Sequence, residues 1–302
     1  MLLGKYKNGT YYVSIYDDGT KIRTAPNDEF IPDFSESCDV TITEYCDGGC
    51  AWCYAGCSLD GKHCDFNKYD KLLDSLHPYT ELAINGNDLT HPQLIQFLEK
   101  MQQKKIIVSM TVNQMHFEKN IELLRDLCNK KLIYGLGISL RNANKEFVKL
   151  VQEFPNAVIH IINGLFTPDE YEVLKNNNLK VLILGYKQIG RGVDWYKQDN
   201  INITNNQKWL TDILPNIIND FKVVSFDNLS LKQLEVRRLM STDEWEQFYM
   251  GNDATFTYFI NLVQDYFAPS SLSDKHYPIN NMNIDEMFKI IRNNNRVENS
   301  KN

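Results

Sequence analysis

The chain has 302 residues, with 32 Lys and Arg against 39 Asp and Glu, for a net charge of −7 at neutral pH. That length suits one sizeable domain, or one domain with a small appendage. The acidic balance supplies no general drive toward nucleic acid, though it leaves room for a local basic patch. No apolar run reaches transmembrane length, and the N-terminal MLLGKYKNGTYYV carries no signal-like cleavage region, so a cytoplasmic protein with no membrane engagement is the expectation.

Residues 10–25 alternate aromatic and β-branched side chains around Asp18-Gly19, which predicts a β-hairpin. Residues 26–36 are polar, contain two prolines and read as a linker, so 1–37 is set apart as an N-terminal appendage. From there strand and helix patterns alternate. Strands are expected near 39–45, 80–84, 106–111, 134–140, 157–162 and 179–185, and helices at 66–76, 92–101, 117–128, 145–154 and 167–174. His77-Pro78 stops the first helix. Thr167 caps the last, with Asp169 and Glu170 in its first turn. Six strand–helix repeats with apolar strands predict an α/β core over 38–192, a parallel sheet covered by helices. In 193–302, residues 209–218, 229–240 and 284–291 read as helices, 222–226 as a seventh strand, and 255–268 as a hairpin. This C-terminal α/β extension is expected to close the core and shape a substrate pocket.

Six of the seven cysteines fall between residues 38 and 64, with Cys128 alone beyond. Their odd number and uneven placement fit a reduced metal protein better than a disulfide framework. Cys46, Cys50 and Cys53 stand four and then three residues apart on the loop leaving the first core strand. Gly48 and Gly49 let that loop curl without a Cβ penalty. Thiolates at this spacing suit zinc or an iron–sulfur cluster, and three ligands without an obvious fourth leave a site open for chemistry. Cys57 and Cys64 keep a rival reading alive: a fourth thiolate would close a structural zinc site or an electron-transfer cluster that catalyses nothing.

The run Cys46-Asp-Gly-Gly-Cys50-Ala-Trp52-Cys53 is CxxxCxxC with an aromatic before its last cysteine. It resembles the cluster motif of the radical S-adenosylmethionine (radical SAM) superfamily, and the resemblance extends over about residues 38–192. It implies a partial (β/α)6 TIM-like barrel, here with a small N-terminal β-hairpin and a C-terminal α/β extension. It also implies an oxidoreductase-type chemistry: a [4Fe-4S] cluster on Cys46, Cys50 and Cys53, with SAM on the fourth iron and Trp52 beside the adenine. Reductive cleavage of SAM would give methionine and a 5′-deoxyadenosyl radical that takes hydrogen from a substrate. A one-electron donor such as a flavodoxin or ferredoxin would be the partner.

Asn85, Gly86 and Asn87 stand where the family has Gly-Gly-Glu-Pro, with Asp88 in place of the proline; the match is degenerate, but the backbone there would accept from the SAM ammonium. Ser139 would reach a ribose hydroxyl and Arg141 the SAM carboxylate. Asn113 is a further polar candidate or a simple turn cap. Asn163, Gly164 and Leu184 resemble segments that meet the methionine and adenine. In the 185–192 loop, GYKQIGRG, Lys187 and Arg191 are candidates for an anionic group of the substrate, while the spacing excludes a P-loop. His63 and Cys64 are candidates for a proton or hydrogen-atom donor, and His160 reads as a core or lumen histidine. The cysteines set no substrate class, small molecule or peptide, and SAM used as a methyl donor is an alternative activity. The C-terminal third lacks the CxxC clusters of an extra-cluster peptide-maturation domain.

Overall fold

The structure, a computed structural model, describes residues 1–299. Its strands are β1 Leu2–Asn8, β2 Tyr11–Tyr16, β3 Lys21–Thr24, β4 Ser37–Thr41, β5 Glu81–Asn85, β6 Ile107–Asn113, β7 Gly135–Ser139, β8 Ala157–Ile162, β9 Lys180–Leu184, β10 Val223–Phe226, β11 Thr257–Asn261, β12 Tyr266–Ala268 and β13 Tyr277–Pro278. Its helices are α1 Asp70–Asp74, α2 Leu94–Gln103, α3 Gln114–Lys119, α4 Ile121–Asn129, α5 Lys145–Gln152, α6 Pro168–Leu174, α7 Arg191–Asp220, α8 Asn228–Gln233, α9 Thr242–Phe248 and α10 Ile284–Asn299.

The hairpin expected around Asp18-Gly19 is β2–β3, and β1 adds a third antiparallel strand on its far side. The linker ends in Glu36, which is fully buried. Its carboxylate takes hydrogen bonds from Tyr11 Oη at 2.5 Å and Arg23 Nε at 2.8 Å, with Lys21 Nζ at 3.2 Å. A buried carboxylate is tolerable only when paired this fully, so the contact fixes the small sheet against the start of β4.

The second sheet has ten strands in the order β10-β9-β8-β7-β6-β5-β4-β11-β12-β13. β4 to β10 run parallel in sequence order, β11 runs parallel to β4 on its other side, and β12 and β13 return antiparallel. Its edge strands β10 and β13 do not pair with each other, so the barrel is partial. Alternation along each strand divides the side chains between two environments. In β4, Cys38 and Val40 are buried, while Asp39 between them faces the barrel interior; in β5, Leu82 and Ile84 are buried and Ala83 faces inward. The outer face packs against helices, for example Leu94, Phe97, Leu98 and Met101 of α2, each such side chain stabilising the fold by about 1.5–3 kcal/mol.

Local signals explain where helices start. Thr167 and Glu170 form a reciprocal capping box with Pro168 in the first turn of α6. Some expected elements are broken. The 117–128 helix divides at Asn120 into α3 and α4, and the 229–240 helix divides at Glu235, whose left-handed φ of 50° ends α8. α7 begins at Arg191, inside the stretch read as a loop, and bends at Asp199. The 255–268 hairpin is β11–β12, but β11 lies beside β4 in the core sheet, a long-range pairing that no local pattern encodes. No helix among the described residues is long and apolar enough to cross a membrane.

Candidate active site

The loops leaving the parallel strands surround a cavity of about 710 Å³, within the ~300–1,000 Å³ of ordinary ligand cavities. Its wall includes Asp39, Ser109, Thr111, Ser139, His160 and Ser225. A closed barrel fills its interior with interlocking aliphatic side chains; here polar groups face open space, which suits a polar ligand. Burial depresses His160 to about 4, so its imidazole is neutral near pH 7. Burial raises the Asp39 carboxyl, and the Lys187 ammonium opposes the rise.

Cys46, Cys50, Cys53 and Cys57 all line this cavity, and all are free thiols. The strand that begins as β4 continues past Thr41 as a narrow ribbon. Thr43 bridges His63 and Tyr45 bridges Ser58, with Cys46 N donating to Ser58 O at 2.8 Å and Ser58 N to Glu44 O at 3.1 Å. Residues 46–57 are therefore an excursion closed at its neck. At Gly61 a Cβ would stand 2.0 Å from the Glu44 carbonyl oxygen, so the neck closes only on glycine.

Within the excursion the Gly48 amide donates to Cys46 Sγ at 3.3 Å, and Asn113 Nδ2 donates to Cys50 Sγ at 3.4 Å. Asn113 also caps α3 through Met115 N, the turn-cap role that the sequence allowed it. Cys57 hydrogen-bonds Cys53, which holds the Cys53 thiol down at about 5 and pushes Cys57 up. Burial raises Cys46 and Cys50; at Cys50 the Arg141 guanidinium opposes it. Two arginines grip the loop by its carbonyls. Arg141 Nη1 donates to Gly48 O at 2.8 Å, and Arg191 donates to Cys50 O at 3.1 Å and to Cys57 O at 3.0 Å.

The structure sorts the other residues singled out in the sequence. Trp52, Asn85, Gly86, Asn113, Ser139, Leu184 and Lys187 line the cavity with the cysteines. Lys187 Nζ lies 3.8 Å from the centre of the Tyr54 ring and 3.3 Å from Ser271 Oγ. Arg191, a candidate substrate ligand, lies outside the cavity wall and hydrogen-bonds the cysteine loop, and Arg141, also outside the wall, does the same. The glycines around Arg191 serve packing: Gly190 has φ +54°, and a Cβ there would meet Tyr54 O at 2.3 Å.

Neither His63 nor Cys64, the two candidate donors, lines the cavity. His63 Nδ1 bonds Thr43 Oγ1 at 2.7 Å on the ribbon, while Cys64 is buried with its Sγ 3.7 Å from His91 Nε2. Asn163 is buried and donates to Gln233 Oε1 at 3.0 Å, and Gly164 packs against Ile203 and Gln207 of α7, so both turn away from the cavity. Asn87 is buried and reaches Asp47 Oδ1 at 3.0 Å.

That last contact belongs to a group the sequence did not disclose. His116 Nε2 meets the same Asp47 oxygen at 2.7 Å, and this hydrogen bond lowers the Asp47 carboxyl below its ordinary range. The loops after β4, β5 and β6 thereby meet beside Cys46. Ligand atoms of Cys46, Asp47 and His116 lie within 4.8 Å of one another, a set that a single divalent ion would suit. His116 was missed because an isolated histidine at a strand-to-helix junction carries no spacing signal.

No protein-family model and no curated protein matches the chain. Among solved structures, the crystal structure of Streptococcus suis SuiB has a similar fold, with a TM-score of 0.55 and 14% identity over 85% of this chain. The chain spans 66% of the length of the SuiB chain. The likeness is one of fold, and the architecture is a partial (β/α) barrel.

Proposed function

We propose that the protein is a radical SAM enzyme in which Cys46, Cys50 and Cys53 hold three irons of a [4Fe-4S] cluster and SAM ligates the fourth. The observation that carries this reading is the convergence of the three free thiols on one excursion, lining a cavity at the C-terminal ends of parallel strands. The donor set fits the group: soft sulfur ligands, a Gly48–Gly49 curl in which Gly49 has φ +60°, and donors from Gly48 N and Asn113 aimed at the sulfurs. When bound, cluster and SAM supply one-electron cleavage of the SAM C5′–S bond and, through it, hydrogen abstraction from an unactivated carbon.

This chain's residues do the rest. Arg141 and Arg191 fix the loop through its carbonyls, so the thiols are presented in one geometry. Trp52, Asn85, Gly86, Ser139 and Leu184 are the wall against which SAM would lie. Lys187 and Asp39 offer opposite charges for orienting a substrate whose reacting carbon must be aligned and kept from water. A flavodoxin- or ferredoxin-type protein would supply the electron.

Cys57 favours a second reading. It lines the same cavity and bonds Cys53, so four thiolates would close a zinc or iron–sulfur site without catalysis. Anaerobic reconstitution with iron and sulfide, followed by EPR with and without SAM and chromatography of products, decides. A [4Fe-4S] signal that SAM perturbs, with 5′-deoxyadenosine formed and the cluster kept in Cys57→Ala, supports the enzyme; S-adenosylhomocysteine would indicate methyl transfer. Stoichiometric zinc, or a cluster indifferent to SAM, overturns it.

A further inference from the structure

Beside the barrel mouth lies a second groove of about 550 Å³, lined by Leu231, Lys232, Arg237, Arg238, Trp245 and Tyr249, with Glu235 and Asn228 completing it. Three features make it unlike the rest of the surface. First, α9 has no buried residue. A seven-residue helix does not persist in water on propensity alone, and this one is held by a Ser241–Glu244 capping box, by Trp245 stacked on Tyr249 at 4.5 Å, and by Arg237 over the Trp245 ring at 5.5 Å. Those contacts display the aromatic side chains instead of burying them, and Phe248 and Met250 beside them are 62% and 47% exposed.

Second, the lining carries three cations against one carboxylate on a chain whose net charge is −7. Arg237 donates to Met240 O and Thr242 Oγ1, and Arg238 to Thr211 O, so each is oriented by a neutral acceptor and keeps its charge uncompensated. The Lys232 ammonium makes no hydrogen bond or ion pair among the described residues. The acidic Asp243, Glu244 and Glu246 of α9 do not line the groove.

Third, the groove adjoins the reaction cavity. Asn228 lines both, and its Nδ2 donates to Asp253 Oδ1 at 2.6 Å, itself part of the cavity wall. A cavity of about 710 Å³ that must admit a cluster, SAM and a reacting group leaves space for only part of a large substrate.

We infer that this groove docks a polypeptide substrate through an acidic segment bearing an aromatic or aliphatic side chain, while another residue of the same substrate enters the cavity. Cationic side chains beside displayed aromatics match carboxylates next to an apolar anchor, the arrangement in which a few aromatic and arginine residues carry most of the binding energy. The inference rests on reading the cavity as the reaction chamber, but docking itself needs no cluster, so the two fail separately.

The test is an array of random dodecapeptides probed with the reconstituted full chain and with the cluster-free Cys46→Ala/Cys50→Ala/Cys53→Ala protein. Binders should be rich in Asp or Glu together with Phe, Tyr, Trp or Leu, and should be shared by both proteins. Their affinity should fall at least tenfold in Lys232→Glu and in Trp245→Ala, and should weaken as salt screens the exposed charges. Both positions lie outside the core, and unchanged thermal unfolding would confirm that the variants fold. Lys149→Glu, on α5, should leave binding unaltered. An array without binders, binding that survives both groove variants, or recruitment of the chain to anionic phospholipid vesicles through the same residues would overturn the proposal; the last would make the groove a membrane contact.

Discussion

Six of the seven cysteines of this chain fall into two groups along one strand and its continuation, Cys128 standing apart on α4. Cys38 and Cys64 are 2% and 7% exposed, and burial pushes both thiols up to about 12. Cys46, Cys50, Cys53 and Cys57 are half-buried around the cavity, where the Cys57 hydrogen bond and Arg191 hold Cys53 down at about 5 while the other three thiols are raised. Residue type is identical and sequence distance is short. The difference lies in access to each sulfur, full burial on one side and open space on the other, and that decides which thiols can become ligands.

The sharpest way to break the comparison is to remove one group at a time. Alanine at Cys46, Cys50 or Cys53 should abolish a stable [4Fe-4S] complement, measured as iron and acid-labile sulfide per chain. Cys38→Ala and Cys64→Ala should retain the full complement while losing stability of the order of 1 kcal/mol from buried contacts. In the metal-free protein, iodoacetamide should label the cavity cysteines and spare Cys38 and Cys64. Loss of iron from the Cys64 variant would join the two groups into one site.

A smaller effect is expected from the loop's framework. Arg191→Ala deletes the donors to Cys50 O and Cys57 O, a loss of about 1–3 kcal/mol if those carbonyls stay unsatisfied. Gly190→Ala forces a Cβ to within 2.3 Å of Tyr54 O at a positive φ. Both should load iron several-fold more slowly than the parent and release it faster to a chelator. Arg191→Lys should restore little, because an ammonium cannot reproduce the guanidinium fork. Normal loading in Arg191→Ala would show that the excursion is rigid without its clamp.

How much of this was legible follows from where each signal sits. The strand–helix alternation and the Thr167 cap are local, and each led to the right element, while the CxxxCxxC spacing marked a loop that lines the cavity. The loop contacts of Arg191 were not legible, because a cation in a glycine-rich loop looks free until the fold turns it toward the carbonyls of Cys50 and Cys57. The placement of His63 and Cys64 outside the cavity wall was not legible either, because residues adjacent to the cysteine loop in sequence lie on its return ribbon. The Asn87–Asp47–His116 group and the pairing of β11 with β4 join residues 40 to about 220 positions apart; such contacts are set by the packing of whole elements and leave no short-range trace.

The least effect, and the most selective, concerns the buried side. Asp88 is fully buried, neither carboxylate oxygen has a hydrogen-bond partner, and burial raises its carboxyl well above the ordinary 3.8. It lies close enough for its charge to raise Cys64 as well. The folded protein therefore keeps Asp88 protonated at pH values where the unfolded chain has released the proton. Asp88's favourable contribution is complete below about pH 4, near the unfolded carboxylate pKa, and is lost as pH rises toward the higher folded value. Asp88→Asn keeps the shape and removes the titration. Its stability relative to the parent, read from urea unfolding, should improve by about 1–3 kcal/mol between pH 5 and pH 8. The cavity-side carboxylate Asp47, already lowered by His116, should give the opposite slope, because Asp47→Asn removes stability that the parent holds at neutral pH and loses on acidification. Parallel unfolding curves for Asp88→Asn and the parent would mean that Asp88 ionises in the fold, and that the two sides of the strand differ less in polarity than their sulfurs imply.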